Sequence, residues 1–188
     1  MRRRILLSAS NGYEVVDLGL PSGLLWATCN VGATKETEYG NYYQWGSGAM
    51  AYIPGSHYHT GGTDSSYTLP SSADTATRVM GSGWRMPTRE EMEELINNTT
   101  YSFVTIDGVY GGKFTNKTNP NAYVFFPFAG YHYGSDILGE GTFTFVWSST
   151  ASDSFNKAYI FYLTNENKSL TTVVRAYGCP VRGVHAAV

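Results

Sequence analysis

From Tyr101 onward this chain is written in short aromatic and β-branched runs, each closed within a few positions by Gly, Pro, Asn or Asp. That punctuation leaves no room for a helical bundle and predicts strands joined by turns. The 21 glycines and 15 tyrosines extend the same signal along the whole chain. Tyr123–Pro127 is an almost unbroken apolar run and reads as a core strand, with further strands over 158–163, 171–174 and 181–185. Upstream, 13–18 reads as a first strand closed by Gly19 and the turn at Pro21, Ser22 and Gly23. Residues 24–27 form a second apolar run, 33–39 hold one or two helical turns before Gly40, and 42–45 is extended. The stretch 46–69 is a long irregular surface loop, of a length that inside a compact domain is usually functional or mobile.

Two segments carry helical signals. Over 88–97, Thr88 supplies an N-cap and Glu91 completes a capping box, while Met92, Leu95 and Ile96 fall on one stripe. Glu90, Glu93 and Glu94 lie off that stripe and read as a solvated face rather than paired catalytic carboxylates. A weaker helix covers 72–80 and stops at Gly81. No internal repeat is visible.

The formal net charge of -2 argues against a nucleic-acid partner, which asks for a basic stripe. No apolar run approaches the roughly 20 residues of a membrane span, so no membrane insertion is expected. The start, Met1 to Ser10, imitates a signal peptide, but its apolar stretch is short. It is read as a basic arm over residues 1–12, ahead of a single domain over 13–188.

Catalytic and metal signals are thin. His57 and His59 form an H-x-H pair with Asp64 near by, a weak metal site with no fixed third partner. No nucleophile elbow, P-loop or dinucleotide fingerprint occurs. No cluster of carboxylates implies calcium. Cys29 and Cys179 are too few for a disulfide framework, and free buried thiols are the commoner outcome. The expectation is no enzyme, no metal and no cofactor.

Aromatic density stands out instead. Between Tyr123 and Tyr177, 14 of 55 residues are aromatic, against 15% for the chain. Phe125, Phe126, Trp147 and Tyr159 are candidates for the core; the others interleave with Gly, Ser, Thr, Asn and Asp. Such mixtures are what binding loops use, because rigid rings supply contact area at low entropic cost. Half-buried aromatics of an ordinary β domain would look alike, and composition leaves both readings open.

Several ordered segments carry a resemblance. Val16 to Ala27 (VDLGLPSGLLWA), Asn30 to Ala33 (NVGA) and Gly83 to Thr88 (GWRMPT) are followed by Trp147 to Thr150 (WSST), Arg175 to Gly178 (RAYG) and Val181-Arg182. Together they resemble the major paralogous (Fibrobacter-type) domains of gut Bacteroidetes and their phages, a group overlapping the variable proteins of diversity-generating retroelements. The resemblance implies an α+β, C-type-lectin-like fold of the formylglycine-generating-enzyme kind. In it, two helices pack on small antiparallel sheets, the terminal strands pair, and much of the chain is irregular loop. It further implies a receptor- or ligand-binding protein, extracellular, on a virion such as a phage tail fibre or on a bacterial cell surface. The partner is a protein or glycan receptor on a cell surface, and a homo-oligomer is compatible with this role. A structural fibre module is the alternative. The oxidases that share the implied fold resemble enzymes with two neighbouring cysteines, and Cys179 has no near partner in the sequence.

In that family the segment of about 130–178 alternates fixed and variable sites, as A-Y-x-L-x-F and R-A-x-G. Carried onto 158–163 and 175–178, the pattern makes Ile160, Tyr162 and Tyr177 variable, and alternation adds Tyr131, Tyr133, Phe143 and Phe145. With Thr172 and Val174 these are the nine candidate ligand-binding residues. All nine types are reachable from asparagine codons by changing adenines alone, as retroelement diversification requires. Trp84, Arg85 and Trp147 are expected to be scaffold.

Overall fold

The computed structural model describes residues 7–8, 10–56 and 58–187. Most of the expected basic arm and His57 therefore lie outside the described residues. Three sheets account for the architecture. In the first, β1 (Leu7–Ser8), β2 (Glu14–Asp17) and β3 (Leu25–Asn30) run into the last strand and then a short fourth, in the order β1-β2-β3-β13-β4. Between β3 and the rest come α1 (Thr75–Met80), β4 (Trp84–Arg85) and α2 (Arg89–Asn98). The meander β5 (Thr99–Ile106), β6 (Val109–Asn116) and β7 (Tyr123–Pro127) is the three-stranded sheet. The remaining strands are β8 (Ala129–Tyr133), β9 (Asp136–Glu140), β10 (Phe143–Ala151), β11 (Lys157–Thr164), β12 (Lys168–Val174) and β13 (Arg182–His185). Of these, β8 to β12 form the second five-stranded sheet, ordered β12-β11-β10-β8-β9. Every strand pairing is antiparallel except that of β8 with β10.

The α+β, C-type-lectin-like expectation is overturned. Strands take up 43% of the described residues and helix 10%, and the two helices are no layer packed on sheets. They are six and ten residues long. Residues 33–39 form turns rather than helix, because the Glu38 carboxylate gathers the Thr34 and Lys35 N–H groups and closes the chain on itself. The first helix starts at Thr75, three residues later than expected, after the N-cap Asp74, whose carboxylate accepts from Thr77 N. The second matches its signals: Thr88 and Glu91 form the capping box, and Met92 and Leu95 are buried.

The terminal strands share a sheet but do not pair, a second correction. β3 lies between them: Trp26 is in register with Val16 on one side and Val184 on the other. The reason is burial. β3 is enclosed along nearly its whole length, so both of its edges need hydrogen-bonding partners, and the terminal strands supply them.

Strand alternation feeds two cores. One gathers Val15, Tyr43, Trp45, Trp84, Trp147 and Ile160; the other gathers Val16, Trp26, Phe114, Phe126, Phe161 and Leu163. Two buried arginines, Arg175 and Arg182, donate to carbonyl and amide oxygens across the fold. Arg182 donates to the Ala27, Thr28 and Phe125 carbonyls and to Asn30 Oδ1. Phe125, Phe126 and Trp147 are buried as expected; Tyr159 instead lies half-exposed under the Arg89 guanidinium. Cys29 and Cys179 are both free thiols. Among the described residues no helix is long and apolar enough to cross a membrane.

Candidate functional site

The second sheet sets adjacent strands β11, β10 and β8 side by side, and their alternation presents one row of rings. Phe145 lies directly opposite Tyr162, and Thr144 aligns with Gly130, which brings Phe143 and Phe145 beside Tyr131. Gly130 has a φ of 62°, and a Cβ there would sit 2.1 Å from the Leu138 carbonyl oxygen. Only glycine lets β9 fold this closely onto β8.

Arg175 places the sixth ring. Its guanidinium stacks 4.2 Å above Trp45 and donates to the carbonyls of Lys157, His59, Gly61 and Gly62. The turn that follows is pinned by Tyr177 N to Val174 O at 3.0 Å and by Gln44 Nε2 to Ala176 O at 3.0 Å. Gly178 then exchanges two backbone hydrogen bonds with His132. Since Tyr131 and Tyr133 flank His132, Tyr177 arrives between them.

The result is a continuous network of six rings. Tyr131 stacks on Phe145 at 4.7 Å between centroids and meets Tyr177 at 4.9 Å. Tyr133 touches Tyr177 edge-on at 5.5 Å. Phe143 and Phe145 lie 5.2 Å apart, and Tyr162 sets its edge against both. Contacts of this kind contribute about 0.5–1.5 kcal/mol each beyond burial. Tyr133 is 58% exposed and the other five are half-buried. Burial, aided by the neighbouring Tyr177, raises the Tyr131 hydroxyl above its usual pKa.

Six of the nine candidates, Tyr131, Tyr133, Phe143, Phe145, Tyr162 and Tyr177, are thus brought together. Three are not. Ile160 is fully buried, paired across the strands with Trp147 in the core cluster that also holds Tyr43 and Trp45. Thr172 is in register with Tyr159, one residue off the Ile160 and Tyr162 positions, and so belongs to the opposite face of the sheet. Val174 stands apart from the rings and lines a neighbouring cleft.

That cleft, of about 720 Å³, shares Tyr133 and Tyr177 with the ring network and adds Gln44, Tyr52, Ser56 and Tyr58. Sequence reasoning named none of these four, reading 42–45 as an extended run and 46–69 as a long irregular surface loop. The available signal was the concentration of tyrosine in the row Tyr39, Tyr42, Tyr43, Tyr52, Tyr58 and Tyr67. Gln44 is buried at 2% exposure, and its Oε1 accepts from Ser56 Oγ. Tyr52 stacks on His132 at 5.0 Å and donates its hydroxyl to Gly134 O. A Cβ on Gly178 would meet the Tyr52 ring at 2.5 Å, so this close approach requires glycine.

Acid–base and metal chemistry have little to work with. Among the described residues no group of three or more His, Cys, Asp or Glu converges. His59 is engaged with Tyr67 Oη at 2.7 Å, and burial followed by the nearby Arg175 charge pushes its pKa down. Asp74 borders a separate cavity of about 700 Å³. Burial raises its pKa, but its oxygens already accept from Thr77 N and Met86 N, tying β4 to the start of α1. Trp147 donates Nε1 to Tyr43 O and Arg85 forms a two-pronged ion pair with Glu91, both structural contacts.

No protein-family model matches the chain, and neither a curated protein nor a solved structure matches it.

Proposed function

We propose that the chain is a non-enzymatic binding protein whose aromatic face engages a protein or glycan receptor on a cell surface, with the chain itself carried outside the cell on a virion or bacterial surface. The observation that carries this reading is the half-exposed ring network of Tyr131, Tyr133, Phe143, Phe145, Tyr162 and Tyr177. Aromatic anchors of this type dominate recognition surfaces, because each removes much apolar area from water while losing little side-chain entropy. Recognition is then by contact and shape, with the tyrosine hydroxyls at the rim. All six ring positions are Tyr or Phe, both reachable from asparagine codons by adenine changes, which supports diversification by a retroelement as the source of the face. A reverse-transcriptase gene beside a near-copy of the segment coding for about 130–178 is the genetic counterpart of that proposal.

The test is binding of the labelled chain to intact cells from a panel of bacterial strains. At least one strain should be stained at micromolar protein, and the Phe145→Ser/Tyr162→Ser variant should lose the staining while keeping its circular dichroism. Undiminished staining by that variant, or no staining across the panel, overturns the reading in favour of a structural module.

A further inference from the structure

We infer that the cleft beside the aromatic face is a subsite for a neutral sugar ring. The inference deepens the binding role proposed above and rests on it. Three features of the cleft point to this ligand class.

The first is its wall. Tyr52, Tyr58, Tyr133 and Tyr177 all line it. An aromatic face carries negative quadrupole density, and a pyranose offers a face of weakly positive C–H bonds to pack against it. The second is charge. Among the described residues, no Asp, Glu, Lys, Arg or His lines the cleft. A phosphate, a sulfate or an acidic sugar would enter without a cation to meet it, and a basic ligand without a carboxylate; desolvating either charge is costly. The third is the floor. Gln44 is nearly enclosed, and its amide is held at both ends, Nε2 on Ala176 O at 3.0 Å and Oε1 under Ser56 Oγ at 2.5 Å. An amide carries two donors and two acceptor positions, so each end retains one more, and the Ser56 oxygen retains acceptor capacity. Gln44 and Ser56 thus keep unspent donor and acceptor capacity at the floor.

Sugar hydroxyls are donor and acceptor at once and match that pairing. A proline-rich peptide also docks in aromatic grooves, but its proline nitrogens bring no donor, which leaves the acceptors of the floor unanswered. The volume of about 720 Å³ falls within the roughly 300–1,000 Å³ usual for small-ligand clefts. Pre-organisation is built in: the Tyr52 hydroxyl is tied to Gly134 O at 3.1 Å and its ring rests on His132 and on the bare backbone of Gly178.

The experiment is a chemical-shift titration of the full chain with the methyl glycosides of glucose, galactose, mannose and N-acetylglucosamine. Sialyllactose and a proline-rich decapeptide form the comparison arms. At least one neutral glycoside should shift the amides of 52–58, 133–134 and 174–177 at millimolar concentration. Ser56→Ala and Tyr58→Ala, each with unchanged spectral dispersion elsewhere, should weaken it about tenfold. The Phe145→Ser/Tyr162→Ser variant should bind the glycoside as before, since neither residue lines the cleft. No shift with any neutral glycoside, tighter binding of sialyllactose or the decapeptide, or equal affinity in the Ser56 and Tyr58 variants overturns the inference. Cell staining that depends on Phe145 and Tyr162 alongside a cleft indifferent to glycosides would remove the sugar subsite and leave the binding face standing.

Discussion

Two aromatic clusters in this molecule share almost the same internal geometry and differ in what lies over them. The inner one joins Trp26, Phe114, Phe126 and Phe161, each fully buried, with centroid separations of 5.7 Å for Phe114–Phe161 and 5.9 Å for Phe126–Phe161. The outer one joins the six rings of the face at 4.7 to 6.1 Å. The two meet on one strand: Phe161 and Tyr162 are successive residues of β11, and alternation sends them to opposite sides of the sheet. Ring contact is therefore no mark of a core. The inner cluster is closed by Met92 and Leu95 of α2 and by β6 and β7, and holds no hydroxyl. Four of the outer six are tyrosines, whose hydroxyls suit a boundary with water. Even within the outer face the cover changes abruptly, since Trp147 and Ile160 are opposite each other and buried while the next pair, Phe145 and Tyr162, is half-exposed.

Truncation should separate the clusters most strongly. Phe161→Ala removes a ring that touches Trp26, Phe114 and Phe126 and leaves a cavity no neighbour can fill, at a cost of about 3–5 kcal/mol. Chemical denaturation measures this directly. A loss under about 1 kcal/mol would mean the inner cluster is as loosely covered as the outer one, and the contrast would collapse.

The complementary change is smaller. Phe145→Ser/Tyr162→Ser deletes two rings already half in water, and should cost about 1–2 kcal/mol in all. The same denaturation curve reports it, with the slope against denaturant unchanged. A loss as large as that of Phe161→Ala would make the face an extension of the core, since Phe145 and Tyr162 also pack on the cluster around Trp147.

The difference between the clusters also explains what the sequence disclosed. Tyr131, Tyr133, Phe143, Phe145 and Tyr162 were legible because period-two alternation puts i and i+2 on one side of a strand. Tyr177 was picked out only by the R-A-x-G pattern that the resemblance carries onto 175–178. Ile160 obeys the same alternation, yet it is buried in one core cluster with Tyr43 and Trp45 from more than a hundred residues away, which no local pattern records. Thr172 depends on the register of β12 against β11, and a slip of one residue reverses the face. The cleft was hidden because Gln44, Tyr52, Ser56 and Tyr58 sit on chain with no repeating pattern, held by backbone bonds such as Tyr52 N to Tyr42 O. The two helices announced themselves loudly through caps and periodicity while occupying few residues, and that loudness misled the reading of the fold class. Pairing of the terminal strands failed on the burial of β3, which needed both of them as neighbours.

Acid should touch the outer cluster and spare the inner one, the smallest of the three effects. The inner rings have no titratable group among them, whereas His132 lies on β8 between Tyr131 and Tyr133, and His59 stacks on Tyr67. Burial lowers the pKa of both histidines, with the Arg175 charge adding to the effect at His59. An unfolded histidine titrates at about 6.5, so below that pH the unfolded chain takes up protons before the folded one does. Stability is then fully held above about pH 6.5 and declines as the pH falls toward the lower folded values. Asp74 opposes this, because its raised pKa makes the folded state the better proton acceptor as carboxylates begin to titrate. Both histidines are partly exposed, and solvent screening keeps the effect modest. Hydrogen exchange, corrected for its intrinsic pH dependence, should show the amides of 131–133 and 177–178 opening more readily at about pH 5 than at about pH 7.5, with those of 160–163 unchanged. His132→Phe should flatten the response around β8 while leaving Asp74 in place. Equal opening of both clusters in acid would show that they unfold as one unit, and the outer face would then have no independent freedom with which to adapt to a receptor.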